Sequence, residues 1–292
     1  MTTASPSRPA RAARARDERT GSQPATRPPV ARPVVELHDA TLSFGARTVW
    51  SGLDLTVATG EFVTVLGPNG SGKTTLLKVL LGIQPLTAGA VRVLGHPPRR
   101  GSRALGYVPQ QRIVDPATPV RARDLVRMGL DGHRWGPGRR APRTRIDELL
   151  AAVGATSYAD VPVGQLSGGE QQRVRIAQAL ASDPAVLLCD EPLLSLDLRR
   201  QDEVTALIDA TRRATGTAVL FVTHEINPVL PYTDRVAYLG PAAHAVGTPA
   251  DVLTSASLTR LYGSPIDVIE AQGRLLIVGD DAHVHHTDEE DR

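Results

Sequence analysis

The stretch "EFVTVLGPNGSGKTTLLKVLLG", residues 61–82, decides the fold. "EFVTVLG" reads as a buried strand that runs into a glycine turn, and "KTTLLKVLLG" reads as the helix that follows. Between them, "GPNGSGKTT" (67–75) satisfies the G-x-x-x-x-G-K-[ST] spacing at every fixed position. Gly67, Gly70 and Gly72 let the backbone turn tightly and leave its N–H groups unshielded from phosphate oxygens. Lys73 places a positive charge beside β- and γ-phosphates, and the Thr74 hydroxyl can take one Mg²⁺ position. Pro68, Asn69, Ser71 and Thr75 complete the nucleotide-binding set.

Working outward, "AVLLCDE" (185–191) and "AVLFVTHE" (218–225) are further apolar runs that end in polar residues. Such runs suit central parallel strands with chemistry at their carboxyl ends, so the expected class is α/β. Asp190 is then placed to hold Mg²⁺ and Glu191 to orient or deprotonate a water. His224, at the end of the other run, is placed to donate to a γ-phosphate and to hold Glu191. Cys189, inside its apolar run, reads as a small core residue. Between 111 and 165 the pattern becomes helical, in "VRARDLVRMGL" and "RTRIDELLAAVG", around the Gly/Pro-rich loop "DGHRWGPGRRAPR". "IDVIEAQGRLLIVG" (266–279) reads as two strands joined at Gln272–Gly273.

A second helix start stands at "LSGGE" (166–170), where a serine and two glycines precede a run of good helix formers. Bare N–H groups at such a start suit phosphate, and the chain already has one phosphate loop.

Composition narrows the function classes. Seven of the arginines lie in the first 33 residues against two acids, leaving 26 basic and 29 acidic residues elsewhere. That balance argues against a nucleic-acid-binding surface. One cysteine excludes an internal disulfide and fits a reducing compartment. No apolar run approaches the roughly 18 residues that span a bilayer, and no apolar segment near the start resembles a secretory signal. Residues 1–33 read as a disordered Arg/Pro-rich tail. Residues 280–292, with His283, His285 and His286 among acids, read as a solvated tail, although imidazole and carboxylate also suit Zn²⁺.

In this order the motifs resemble the nucleotide-binding subunit of ABC transporters, over residues 34–279. The resemblance implies a P-loop NTPase (RecA-like) core, an N-terminal antiparallel β subdomain and an inserted helical subdomain at about 112–165. The nucleotide-binding domain is expected over 34–250, with a hairpin-bearing extension over 251–279. Phe44 in "TLSFGARTV" falls where the family stacks an aromatic ring on adenine, with Phe in place of the usual Tyr. Gln110 in "GYVPQQ" falls on the glutamine that senses Mg²⁺ and contacts the membrane subunit. Ser167, Gly168, Gly169 and Glu170 fall on the signature, with Glu170 in place of the commoner Gln. Asp190 falls on the Mg²⁺ aspartate, Glu191 on the catalytic base, Asp197 on the D-loop and His224 on the switch histidine. The implied ligands are ATP and Mg²⁺. The implied partners are a second copy packed head to tail, permease subunits and, indirectly, an extracytoplasmic substrate-binding protein. The implied location is the cytoplasmic face of the membrane.

A soluble ABC ATPase of DNA or ribosomes is the alternative of another class. The short gap between Gln110 and the signature, without sustained heptads, and the single cassette both disfavour it. Three stretches are similar to the zinc- and manganese-uptake group. They are residues 106–130, the region around "VTHEINPVLPYTDRVAYLG", and "LYGSPIDVIEAQGRLLIVG". "DPATPV" departs from that group's aromatic-Pro-Val pattern. The siderophore, haem and cobalamin importer group is the near alternative.

Overall fold

The computed structural model describes residues 32–110, 114–131, 142–194, 196–240 and 243–279. Most of the Arg/Pro-rich tail, the greater part of the Gly/Pro loop, Gln111, Ser195 and the three tail histidines lie outside the described residues.

A strand with every side chain buried needs cover on both faces, and the central sheet provides such strands. The chain starts with β1 (Pro33–Phe44) and β2 (Arg47–Ala58), then enters β3 (Phe62–Leu66) and α1 (Lys73–Leu80). Pro33, assigned above to the tail, opens β1 and pairs with Ala58. β4 (Ala88–Val93) returns to β1, giving an antiparallel sheet in the order β2-β1-β4. β5 (Leu105–Val108) then leads into α2 (Ala122–Asp131), α3 (Arg143–Ala152) and α4 (Gly168–Leu180). Next come β6 (Val186–Asp190), α5 (Leu198–Thr215), β7 (Ala218–Val222), β8 (Arg235–Leu239) and β9 (His244–Gly247). The six-stranded sheet runs β5-β6-β7-β3-β8-β9, parallel except at the β8–β9 edge.

Strand alternation divides the apolar residues between two cores. Val63, Val65, Leu188, Leu220 and Val222 face the three-stranded sheet and α1, which contributes Leu76, Leu77 and Leu80. Phe62, Leu187, Cys189, Val219 and Phe221 face the other way, toward the helices. There the Phe62 and Phe221 rings stack with centroids 5.6 Å apart. Cys189 is fully buried, and burial pushes its thiol up in pKa, followed by the effect of Asp190, so it is a core residue.

The helical region shares this second core through Val126, Ile146, Leu150 and Val174. α2 crosses α4 closely because residue 129 is glycine, where a Cβ would lie 2.2 Å from the Gln178 carbonyl oxygen. The chain ends in α6 (Pro249–Val252), α7 (Ser255–Tyr262) and the hairpin β10 (Ile266–Ala271)–β11 (Arg274–Gly279). Gln272 and Gly273 make its turn with φ of 52° and 72°, the left-handed pair that two-residue hairpins favour. The boundary drawn at residue 250 falls inside α6, where Thr248 and Asp251 form a capping box. Leu258, Leu261 and Ile266 join the helix-side core, so this part packs on the sheet. Among the described residues no helix is long and apolar enough to cross a membrane.

Candidate functional site

α1 starts without a side-chain cap, on Gly72 in the left-handed region at φ 90°. A Cβ there would meet Val49 Cγ1 at 2.4 Å, and one on Gly67 would meet the Leu239 carbonyl oxygen at 2.2 Å. Glycine is therefore required twice, for conformation and for space. The loop borders a cavity of about 960 Å³ whose other walls include Phe44, Gln110, Glu191 and His224. Ser71 Oγ is buried, with no hydrogen-bond partner among the described residues, and Ser71 is not on the cavity wall. The buried Lys73 ammonium donates to the carbonyls of Gly67 (2.7 Å) and Pro68 (3.0 Å). Burial lowers its pKa, and the charges of Glu191 and Asp190 oppose that shift.

Asp190, at the carboxyl end of β6, is buried beside this loop. Thr74 Oγ1 donates to its Oδ1 at 2.9 Å, and the Tyr107 hydroxyl donates to Oδ2 at 3.1 Å. Burial raises the Tyr107 pKa well above its ordinary value, and the Asp190 charge raises it further. A hydroxyl and a carboxylate within 3 Å form a hard-oxygen pair that fits Mg²⁺ bound chiefly by phosphates and water.

At Glu191 the chain leaves the strand with φ 46°, a left-handed conformation that costs a non-glycine residue roughly 1–3 kcal/mol. Its N–H still donates to the Val222 carbonyl at 3.0 Å, which keeps it tied to β7. The turn aims the carboxylate at the cavity. Gln110 Nε2 donates to Glu191 Oε2 at 3.4 Å, and His224 Nδ1 lies 3.9 Å from the same oxygen. The cavity thus gathers glycine-loop N–H groups, the Lys73 cation and the Glu191 carboxylate, with the Thr74–Asp190 hard-oxygen pair at its edge, a set with which phosphoryl transfer to water is chemically feasible.

The second helix start is elsewhere. Ser167 caps α4 in a capping box, with its N–H and Oγ both donating to Glu170 Oε2 at 2.8 and 2.7 Å. Ser167 is exposed, whereas Gly169 is buried against Arg200, whose Cδ lies 3.1 Å from where a Cβ would stand. Asp197 is exposed and caps α5 by accepting from the Arg200 N–H at 2.9 Å. The structure brings together Phe44, residues 67–75, Gln110, Glu191 and His224, with Asp190 beneath them. Ser167, Gly168, Gly169, Glu170 and Asp197 line no part of that cavity.

Sequence reading missed Tyr107 on Asp190, and Arg47, Val49, Leu194 and Tyr262 on the cavity wall. Arg47 pairs with Phe44 across the β1–β2 turn, a hairpin signal that was available. Nothing local announces Tyr262, which arrives from the far end of the chain.

The sequence profile of the ABC transporter family matches residues 50–194. The chain is 35% identical over 235 residues to the zinc transport system ATP-binding protein TroB of Treponema pallidum, covering 80% of this chain and 88% of that protein. It is 37% identical over 232 residues to the zinc import ATP-binding protein ZnuC of Roseobacter denitrificans, covering 79% and 85%. Its fold is similar to a structure described as an inward-facing metal-chelate type ABC transporter. There the TM-score is 0.70 at 27% identity, over 85% of this chain and 98% of that one. A nucleotide-free ATP-binding cassette from an ABC transporter, 19% identical, shares the fold with a TM-score of 0.65 over 80% and 96%.

Proposed function

The chain belongs to the ABC transporter family, and from that premise we propose that it is the ATP-hydrolysing subunit of a divalent-metal importer, with zinc as the cargo. ATP-binding subunits of this family work with membrane permeases. The observation that carries the ATPase reading is the meeting of Glu191, Gln110 and His224 over the phosphate loop. Zinc is supported by identity of 35–37% over about four-fifths of the chain to subunits named for zinc transport and import.

Phe44 would cover the adenine face while the loop N–H groups and Lys73 take the β- and γ-phosphates. Thr74 and Asp190 would hold Mg²⁺, which when bound offsets phosphate charge. Glu191 orients a water for attack and takes up its proton, and His224 donates to the departing phosphoryl oxygens. Ser167, Gly168, Gly169 and Glu170 would reach the nucleotide of a second copy, since they lie off their own cavity. Asp197 would stand at that junction. Gln110 borders both the nucleotide cavity and an apolar groove lined by Val120, Leu125 and Met128, a surface suited to a permease helix. Such docking would place the chain at the cytoplasmic face of the membrane as a peripheral subunit.

Zinc accumulation in cells that lack this protein is the test. A loss of high-affinity zinc uptake, restored by the intact chain and not by the Glu191→Gln variant, is the expected result. Unchanged zinc uptake together with lost uptake of a chelated metal would instead favour the metal-chelate reading, which the 27% identical structure supports.

A further inference from the structure

We propose that Tyr107 is a positioning residue that fixes the orientation of the Asp190 carboxylate for metal. This rests on the reading of Asp190 as the Mg²⁺ carboxylate. Asp190 is buried, and each of its two oxygens accepts from a different hydroxyl, Oδ1 from Thr74 and Oδ2 from Tyr107. Thr74 is itself a candidate metal ligand; a lone pair of its oxygen would face the metal while its O–H can go on donating to Oδ1. Tyr107 is not on the cavity wall and remains as the donor supplied by the scaffold. The terminal torsion of an aspartate is broad and two-fold, so a carboxylate held at one oxygen swings. A second donor removes that freedom.

The scaffold behind the donor is stiff. Tyr107 sits in β5, which pairs in parallel with β6, Tyr107 opposite Leu188 and Val108 opposite Cys189, one residue short of Asp190. Tyr107 and Asp190 also line the apolar groove of about 730 Å³ that adjoins the nucleotide cavity. Tyr107 thus reaches Asp190 from the wall of this groove and not from the wall of the nucleotide cavity. Phenylalanine would fill the same space and leave a buried carboxylate oxygen short of its donor.

The experiment compares Tyr107→Phe, Tyr107→Leu and Asp190→Asn in the full chain, with thermal unfolding to confirm folding. Two readouts are taken, the Mg²⁺ dependence of ATP hydrolysis and the affinity for Mn²⁺ with ATP by electron paramagnetic resonance. Tyr107→Phe is expected to raise half-saturating Mg²⁺ and weaken Mn²⁺ binding by roughly 10–100-fold, as for the loss of one hydrogen bond to a charged group. ATP binding in excess chelator should stay unchanged, and Tyr107→Leu should shift the metal readouts similarly. Unaltered metal readouts in Tyr107→Phe, or a shift confined to Tyr107→Leu, would overturn the proposal. If Asp190→Asn weakens Mn²⁺ binding and Tyr107→Phe does not, the inference fails alone. Unchanged Mn²⁺ affinity in Asp190→Asn brings down the Mg²⁺ reading as well.

Discussion

Two helices begin on glycine-rich turns, and they finish their first turns in opposite ways. α1 starts on a left-handed glycine, has no side-chain cap, and faces a cavity with Lys73 buried behind it. α4 starts on Ser167 with every feature of a capping box, and Glu170 already occupies both the serine N–H and its hydroxyl. An uncapped start leaves its donors to an incoming anion, whereas a self-capped start gains from an anion only by exchanging a bond it already has. The first is complete within one chain. The second is headed by an exposed, self-satisfied serine and lines no part of its own cavity, the arrangement expected of a surface that meets phosphate only when another molecule presents it.

The hardest test of this contrast is one substitution made at both starts. Gly72→Val forces a β-branched residue to φ 90° with its Cβ 2.4 Å from Val49, so ATP binding should fall more than about a thousandfold by titration. Gly168→Val should leave the ATP affinity of the single chain within about threefold, because no ligand-facing wall is altered. Equal losses would break the comparison. Within the first site, Glu191→Gln should lower hydrolysis by more than about a hundredfold and keep ATP binding, the signature of a lost water-orienting group. Near-normal turnover in that variant would remove Glu191 from its role.

A milder test mixes two inactive chains. Lys73→Ala damages the first start and Ser167→Arg the second, so a mixed pair carries at most one intact composite site. Recovery to no more than about half of normal ATPase activity is expected from the mixture, and little from either alone. Full activity in either single preparation would show that each chain works alone. The smallest effect belongs to the cap. Glu170→Ala should cost about 0.5–1 kcal/mol in denaturant unfolding, while Glu170→Gln, which can still accept from Ser167, should cost only a few tenths. Equal costs would mean that the capping box contributes nothing.

Legibility follows the distance over which each feature is encoded. The three core strands were readable because β3, β6 and β7 are each five residues of unbroken burial beside a turn. The helical insertion was visible as a change of period, with Val126 and Ile146 pointing inward. Asp197 was readable as a D-loop position only by resemblance, and its structural task is to cap α5. The order β5-β6-β7-β3-β8 was not readable, because parallel neighbours are joined by crossovers whose lengths do not state which edge the chain returns to.

The sequence by itself determined the phosphate loop, the strand that feeds it and the carboxylates at the end of β6. Each depends on backbone geometry within about ten residues, where glycine positions and apolar runs leave few alternatives. Only the tertiary structure decided that Tyr107 reaches Asp190, that Arg47 and Tyr262 wall the cavity, and that the α4 start lines no part of it. Those placements follow from sheet order and from how two cores share one sheet, and long-range packing of that kind is not written in any single segment.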